Sequence, residues 1–378
     1  PLEAGISPGF ELVEATGQLE QQAWDSLINE SSNRDHPVNS ALDTLVEGCA
    51  GLPNTSTALR SFLSHRSDWW AYCQDQTDPV EHAGKQLQVL LAIEADADPL
   101  GNFPNDIQRA QLKRFADLLT RNGLKKDLEN AGQLYAALED ALSGEQLYAA
   151  IQESFLTKAG TARARKSTDA QRKRLGDEAD AAFIELHQTF CALLDDLSEQ
   201  LARIATYHNT LAWLTTGTRL LAAYQRIKQE QRLLDFSDLE WKACELLNQD
   251  QHASWVQYKL DTRIDHLLVD EFQDTNPTQW RLLKPLLEEL AAGNDDRARS
   301  VFLVGDKKQS IYSFRRANPA LLGEASAWLR DNLQASNFPL DASRRSAQAV
   351  IDCVNAVFDR EPLRQRLDGF NTHSTHHP

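Results

Sequence analysis

The chain has 378 residues, 42% of them hydrophobic, with 39 basic and 55 acidic side chains for a net charge of −16. A strongly acidic chain does not bind nucleic acid by bulk charge, so any such binding needs a local basic groove. The length is a prior for two to three domains, and roughly three quarters of the extended surface can be buried on folding, without disulfide or metal staples. With only 17 glycines and 13 prolines the chain is neither collagen-like nor low-complexity. No run of about 18 apolar residues occurs, and no basic segment precedes an apolar one at the start, so neither a transmembrane helix nor a secretion signal is expected. The five cysteines (Cys49, Cys73, Cys191, Cys244, Cys353) are scattered and never spaced as CxxC, which fits free thiols in a reducing cytoplasm. There is no Met, and the opening Pro1-Leu2-Glu3-Ala4-Gly5 reads as the middle of a longer chain.

In chain order, residues 1–15 read as a loop with a short strand at Phe10-Glu11-Leu12-Val13. From Thr16 to Asn248 apolar residues recur at helical spacing, as in Gln86–Leu91 and Ala110–Leu119. Breaks are expected at Asn33–Pro37, Gly51–Asn54, Asp96–Pro104, Gly123, Gly144 and Ala159–Gly176. Val80–Leu91 and Leu134–Leu142 are short helices in this pattern. Asp180–Leu233 is a long one, carrying Phe183, Leu186, Phe190, Leu193, Leu194 and Leu197 on one stripe. Helical hairpins are the natural architecture here.

The texture changes after Asp261. Ile264–Val269 and Ser300–Val304 are short apolar runs, each ending in acidic residues, with a helix at Pro277–Ala292 between them. Strand, helix, strand, with both strands buried on both faces, predicts a parallel βαβ unit. A further strand is expected at Asn337-Phe338-Pro339-Leu340, after a helix at Ala317–Leu333. A disordered tail carrying His373, His376 and His377 closes the chain. Chemistry in such sheets sits beyond the C-terminal strand ends, where both acidic clusters fall.

Three clusters carry the chemistry. In Leu267-Leu268-Val269-Asp270-Glu271, a carboxylate at the strand tip suits a Mg²⁺ ion (Asp270), and its neighbour suits the attacking water (Glu271). Alone, the pair also reads as an ordinary acidic turn; Gln273-Asp274-Thr275 strengthens the functional reading. The second cluster runs from Val304 to Ala317. Gln309 is placed to contact a γ-phosphate or its water, Tyr312 and Phe314 to stack on bases, and Arg315 to couple the two sites. Alone, this cluster also fits a turn entering a helix, with Phe314 in the core. The third is Leu340–Ser346, where Arg345 suits an arginine finger and Ser346 reads as a helix cap. A basic stretch holds Lys158, Arg163, Arg165, Lys166, Arg172, Lys173 and Arg174. With Gly160 and Ser167-Thr168 it reads as a flexible loop that either contacts DNA phosphates or is merely solvated.

Together these segments resemble superfamily-1 DNA helicases of the UvrD/Rep class. Asp270-Glu271-x-Gln273-Asp274-Thr275 is similar to their motif II. Gly305-Asp306-x-x-Gln309-Ser310-Ile311-Tyr312-x-Phe314-Arg315 is similar to motif III, and Arg345-Ser346 to the end of motif IV. The opening residues with Pro8-Gly9-Phe10, and Trp255-Val256-x-Tyr258-Lys259-Leu260 with Ile264-Asp265-His266, resemble the AddA/RecB branch of helicase–nuclease subunits. Leu234-Asp235-Phe236-Ser237-Asp238-Leu239 is similar to a family element preceding motif II, and no catalytic role is assigned to it. Phe272 makes motif II more RecB-like, Arg316 stands where the family usually has Gly, and Ser343-Arg344 replaces Asn followed by an aromatic.

The resemblance implies an α/β fold: a partial RecA-like P-loop NTPase motor domain with a parallel sheet and a large all-helical insertion. Residues 1–15 would end the first motor segment, 16–233 form the insertion, 234–336 continue the motor with motifs II and III, and 337–378 begin the second motor domain. It implies ATP and Mg²⁺, with Asp270 as metal ligand and Asp270, Gln309, Arg315 and Arg345 at the nucleotide. Glu271, Gln309 and Arg345 would be catalytic. Tyr312, Phe314 and the basic residues Arg163, Arg165, Lys166, Arg172, Lys173 and Arg174 would meet DNA. The implied activity is an ATP-dependent 3′→5′ translocase on single strands and duplex ends, acting in double-strand-break repair and recombination with a second helicase–nuclease subunit. No G-x-x-x-x-G-K-[ST] phosphate loop occurs. By the resemblance it would precede Pro1, with late motifs and nuclease after Pro378, and the isolated chain would be inactive. Two other readings remain: a motor-dead DNA-binding scaffold, if the chain is complete, and a UvrD/Rep-type helicase without a nuclease.

Overall fold

The computed structural model describes residues 8–31, 37–94, 96–139, 142–248, 253–261, 263–292, 297–366 and 370–377. The opening Pro1–Gly5 and most of the expected break at Asn33–Pro37 lie outside the described residues. The elements in chain order are β1 (Glu11–Leu12), α1 (Gly17–Ser31), α2 (Pro37–Gly48), α3 (Leu52–Ser64), α4 (Arg66–Cys73), α5 (Pro79–Leu91) and α6 (Asp106–Asn122). Then come α7 (Lys125–Glu139), α8 (Gly144–Phe155), α9 (Asp169–Leu175), α10 (Asp177–Gln231), β2 (Leu233–Leu234), α11 (Phe236–Asn248) and α12 (Ala253–Asp261). The chain continues through β3 (His266–Val269), α13 (Pro277–Ala292), β4 (Ser300–Leu303), α14 (Ala320–Leu333), β5 (Ala342–Ala347), α15 (Gln348–Phe358), α16 (Leu363–Arg366) and β6 (Ser374–His377). The chain is mostly helical with three small parallel sheets, β1–β2, β3–β4 and β5–β6. No described helix is long and apolar enough to cross a membrane.

The chain divides into two compact units. One comprises Pro37–Gly51 and Asp78–Thr216, the other Pro1–His36, Leu52–Thr77 and Gly217–Pro378. In the first, helix starts are written locally. Asn105 and Gln108 form a reciprocal capping box on α6, and Ser143 and Gln146 form another on α8. The core gathers Phe115, Phe155, Phe183 and Phe190, with Phe115 4.8 Å from Phe155 and 5.1 Å from Phe183 between ring centroids. The basic stretch is more ordered than expected. Thr168 accepts the Gln171 N–H and starts α9, while Gln171 and Leu175 are buried and Gln171 donates to Asp180 at 2.6 Å.

In the second unit, β3 and β4 pair in parallel with His266 opposite Ser300 and Val269 opposite Leu303. Leu267, Val269, Val301 and Leu303 pack on a core of Phe272, Trp280, Leu287, Leu321, Ala325 and Leu329. The other face is open, with Leu268 67% and Phe302 55% exposed, so the expected burial on both faces is not met. Asn276 and Gln279 exchange backbone and side-chain bonds at the start of α13, with Pro277 as its first residue. Gly217 lets the long α10 approach Phe62; a Cβ there would lie 2.6 Å from the ring. The expected strand at Asn337–Leu340 is irregular backbone, with Phe338 and Leu340 exposed, and the strand starts at Ala342. Pro339 lacks the N–H that a ladder needs. Residues 374–377, expected as disordered tail, form β6 against β5. Asn355 holds the His373 backbone through both its amide atoms, and Thr375 donates to the Ser346 carbonyl. The cap position of α15 is Ala347 rather than Ser346.

A buried charged cluster sits where α10 ends. Lys228 donates to Asp235 at 2.9 Å and to Asp238 at 2.6 Å, Tyr224 donates to Asp235 at 2.9 Å, and Arg66 of α4 binds the other Asp235 oxygen. Asp235 and Asp238 also accept each other's backbone N–H, capping α11. Burial alone would push the Asp235 carboxyl up, but Arg66, Lys228 and the Tyr224 hydroxyl together hold it below its ordinary value.

Candidate nucleotide and nucleic-acid site

The β3 strand ends at Val269, and its ladder runs one step further through the Val304 N–H to the Val269 carbonyl. Beyond it, Asp270 and Glu271 are exposed at the sheet's C-terminal edge. The Glu271 N–H donates to Asp270 Oδ1 at 2.9 Å, and Glu271 itself adopts φ +52°, an unfavourable backbone for a residue with a Cβ. The chain then turns into a short 3-10 segment, Phe272–Asp274, anchored by the buried Phe272 ring and by the Phe272 N–H on the Val304 carbonyl.

Gln273 ties the two acidic clusters together, a role that sequence reasoning leaves unassigned. It is buried; its Nε2 donates to Glu271 Oε2 at 2.6 Å, and its Oε1 accepts the Asp306 N–H at 3.0 Å. Ser310 donates to the Gln273 carbonyl at 3.2 Å. The approach requires Gly305, since a Cβ there would lie 2.8 Å from Gln273 Oε1 and 3.2 Å from its backbone nitrogen. The signal in the sequence is a polar amide inside an apolar turn.

Asp306 accepts from the Lys308 N–H at 3.0 Å and from the Gln309 side chain at 3.2 Å. Partial burial would raise its carboxyl, and those bonds together with the Lys308 charge lower it overall. Gln309 is exposed, on the same edge. Three residues later, Tyr312 and Phe314 lie 5.7 Å apart, and the Arg315 guanidinium sits 5.1 Å from the Tyr312 ring and 5.6 Å from the Phe314 ring. Phe314 is 70% exposed, so the alternative of a core residue under α14 does not hold.

Arg345 stands in β5, exposed, in a different sheet. Among the described residues no hydrogen bond or ion pair joins its side chain to Asp270, Glu271 or Gln309. In the other unit, Lys166, Arg172, Lys173 and Arg174 are exposed, with Arg172 paired to Asp169 and the Arg174 Nε donating to Asn122 at 2.8 Å. Arg165 is engaged internally. It binds Asp127 at 3.0 Å and lies 4.5 Å over the Phe183 ring. Arg163 is half-buried.

Among the described residues no three His, Cys, Asp or Glu side chains form a cluster able to hold a metal alone. One exposed strand-tip carboxylate, Asp270, fits a Mg²⁺ that keeps most of its waters and shares substrate phosphates. Asp274 adds a buried oxygen, Oδ1, that accepts no hydrogen bond.

The UvrD/REP helicase N-terminal domain family matches residues 86–327. The chain is also similar to proteins named as the A-type subunit of an ATP-dependent helicase/nuclease. That of Desulfitobacterium hafniense is 34% identical over 175 residues, covering 45% of this chain and 12% of the relative. That of Limosilactobacillus fermentum is 27% identical over 398 residues, covering 94% and 28%, and that of Streptococcus pneumoniae is 28% identical over 311 residues, covering 79% and 23%. The expected likeness to the AddA type is met by these matches. The chain spans between about an eighth and just over a quarter of the length of these relatives.

Proposed function

This chain belongs to the UvrD/REP helicase family, and we propose that it is the part of an ATP-driven DNA motor that links nucleotide hydrolysis to the grip on a single strand. The observation that carries this is the continuity of one structural segment. Gln273 joins Glu271 to the start of the Asp306–Arg315 stretch, and that stretch presents Gln309 at the sheet edge and an exposed aromatic–arginine triad a few residues on.

In this reading the surroundings of β3 and β4 form a RecA-like motor core, with residues 16–233 as a helical insertion, 234–336 as motor and 337–378 opening a second motor domain. Asp270 holds the Mg²⁺ that accompanies ATP, an ion that neutralises phosphate charge when bound. Glu271 takes the proton of the attacking water, and Gln309 orients that water or the γ-phosphate. Arg345 reaches the nucleotide as an arginine finger when two motor domains close. Arg315 couples the nucleotide end to Tyr312 and Phe314, on which bases stack. Arg163, Arg165, Lys166, Arg172, Lys173 and Arg174 supply the local positive charge for DNA phosphates; the four exposed ones support this most directly.

The relatives' names, which describe one component of a helicase/nuclease, support a substrate of DNA ends, a second component, and a place in double-strand-break repair in the cytoplasm. Translocation 3′→5′ belongs to the same reading. The test is Glu271→Gln in the complete protein that carries this chain. ATP binding is expected to persist while DNA-stimulated hydrolysis is lost, and turnover at the original rate would overturn the assignment.

A further inference from the structure

We propose that Asp68 and Arg316 form a clamp that sets the position of the Tyr312–Phe314–Arg315 triad, making both positioning residues for strand binding; this rests on the reading of that triad as part of the strand track. Arg316 follows the 3-10 turn Ser313–Arg315 and adopts φ +68°, a left-handed backbone that disfavours any residue with a Cβ. Its N–H donates to the Ser313 carbonyl at 2.9 Å, closing the turn that carries the aromatics. The conformation persists because the side chain is held. Nε donates to Asp68 Oδ2 at 3.0 Å, and Nη2 donates both to the other Asp68 oxygen and to Thr278 Oγ1 at 3.0 Å. The Arg316 side chain is only 7% exposed. A planar fork engaging both carboxylate oxygens fixes orientation as well as distance.

Each partner is itself anchored. Thr278 is in the first turn of α13, which begins a few residues beyond Glu271. Asp68 is in the first turn of α4, and α4 is held elsewhere too. Arg66 is bound by Asp235 in the buried cluster, and Gln74, just past the helix, accepts from Arg281 of α13 at 2.8 Å. A short helix fixed on both sides keeps Asp68 still, and Asp68 in turn fixes the residue that ends the aromatic turn. The pair is 248 residues apart in the chain, so a helix far upstream of the motifs shapes the strand contact.

The experiment measures ATP hydrolysis by the complete protein against concentration of a single-stranded oligothymidylate. Asp68→Asn is expected to raise the concentration giving half-maximal stimulation about tenfold, the scale of one lost charge-assisted contact. DNA-free hydrolysis, the KM for ATP and the melting temperature should stay unchanged. Arg316→Gly should weaken DNA in the same way, although glycine suits the backbone better, and Arg316→Lys should fall between. An unchanged half-maximal concentration in Asp68→Asn overturns the clamp, as does a loss of DNA-free hydrolysis and melting temperature in step with it. Phe314→Ala is run alongside. If it weakens DNA while Asp68→Asn does not, the clamp alone fails; if Phe314→Ala has no effect, the strand-track reading fails.

Discussion

The side-chain amide of Gln273 donates to the carboxylate of Glu271 at 2.6 Å, so the carboxylate expected to handle water is oriented by a residue two positions on. The same amide accepts the Asp306 N–H, which makes Gln273 a rigid link between two strand ends. Gln273→Ala is expected to slow hydrolysis in the complete protein between about ten- and a hundredfold, the range for a misplaced catalytic group, with ATP affinity retained. Gly305→Ala should act alike, because its Cβ would lie 2.8 Å from the Gln273 oxygen. Single-turnover hydrolysis beside equilibrium nucleotide binding checks both. Equal loss of binding and turnover would make Gln273 a staple of the fold only.

Phe314 offers its ring to solvent beside Tyr312, with the Arg315 guanidinium near both. Phe314→Ala in the complete protein should weaken single-strand affinity by about 1–3 kcal/mol, the usual worth of one base–aromatic stack. ATP affinity without DNA should be unaffected. Because the ring is 70% exposed, thermal stability should barely move. A fall of about 3–5 kcal/mol in unfolding free energy, the value for a core Phe truncation, would contradict the exposed placement.

The basic stretch divides by burial. Lys166, Arg172 and Lys173 are exposed, whereas Arg165 is bound to Asp127 and lies over Phe183. Neutralising Lys166, Arg172 and Lys173 together should weaken DNA binding for any sequence. It should also flatten the log–log salt dependence by about 0.7–0.9 per lost phosphate contact. Arg165→Ala should instead destabilise the helical unit by about 3–5 kcal/mol, since it strands the buried Asp127 carboxylate. Salt titrations of DNA affinity and urea unfolding of each variant separate the two outcomes. An unchanged slope in the triple variant would show only a solvated surface.

What is legible in the sequence is whatever is written over short spans. The Pro277–Ala292 helix is found with the bounds its apolar spacing gives, between two strands that end in Asp270-Glu271 and Gly305-Asp306. The long helix is legible too, expected from Asp180 and found from Asp177 to Gln231. Relations between distant residues are not. Nothing near Arg165 announces Asp127, and nothing near Arg316 announces Asp68. A charged side chain reads as solvated until its partner's position is known. The Asp235–Asp238 spacing reads as a helix cap, which it is, but the ions that make it a buried cluster come from α4 and α10. The tail strand escapes because its pairing depends on Asn355 and Ser346 rather than on its own polar composition.

That buried cluster makes a prediction with a definite sign in pH. Asp235 has its carboxyl held below the ordinary value of about 3.9, because Arg66 and Lys228 outweigh the burial that would raise it. A group whose folded value is lowered contributes stability in full above its unfolded value, and that contribution is lost as pH falls through the lowered folded value. The native protein should therefore keep this stabilisation at neutral pH and shed it only in strong acid. Lys228→Met removes one of the two cations and leaves burial to dominate. The Asp235 carboxyl then rises, so the loss of stability should begin at higher pH than in the native protein. At neutral pH the same variant should be less stable by about 3–5 kcal/mol, the range for breaking a buried ion pair by removing one partner. Tyr224→Phe removes a single donor to Asp235 and should cost about 1–3 kcal/mol, the range for a buried acceptor left short of a partner. Urea unfolding from neutral to strongly acidic pH checks all three statements. If the Lys228→Met and native curves run parallel across that range, Lys228 does not set the ionisation of Asp235, and the cluster holds the end of α10 to α4 and α11 by packing alone.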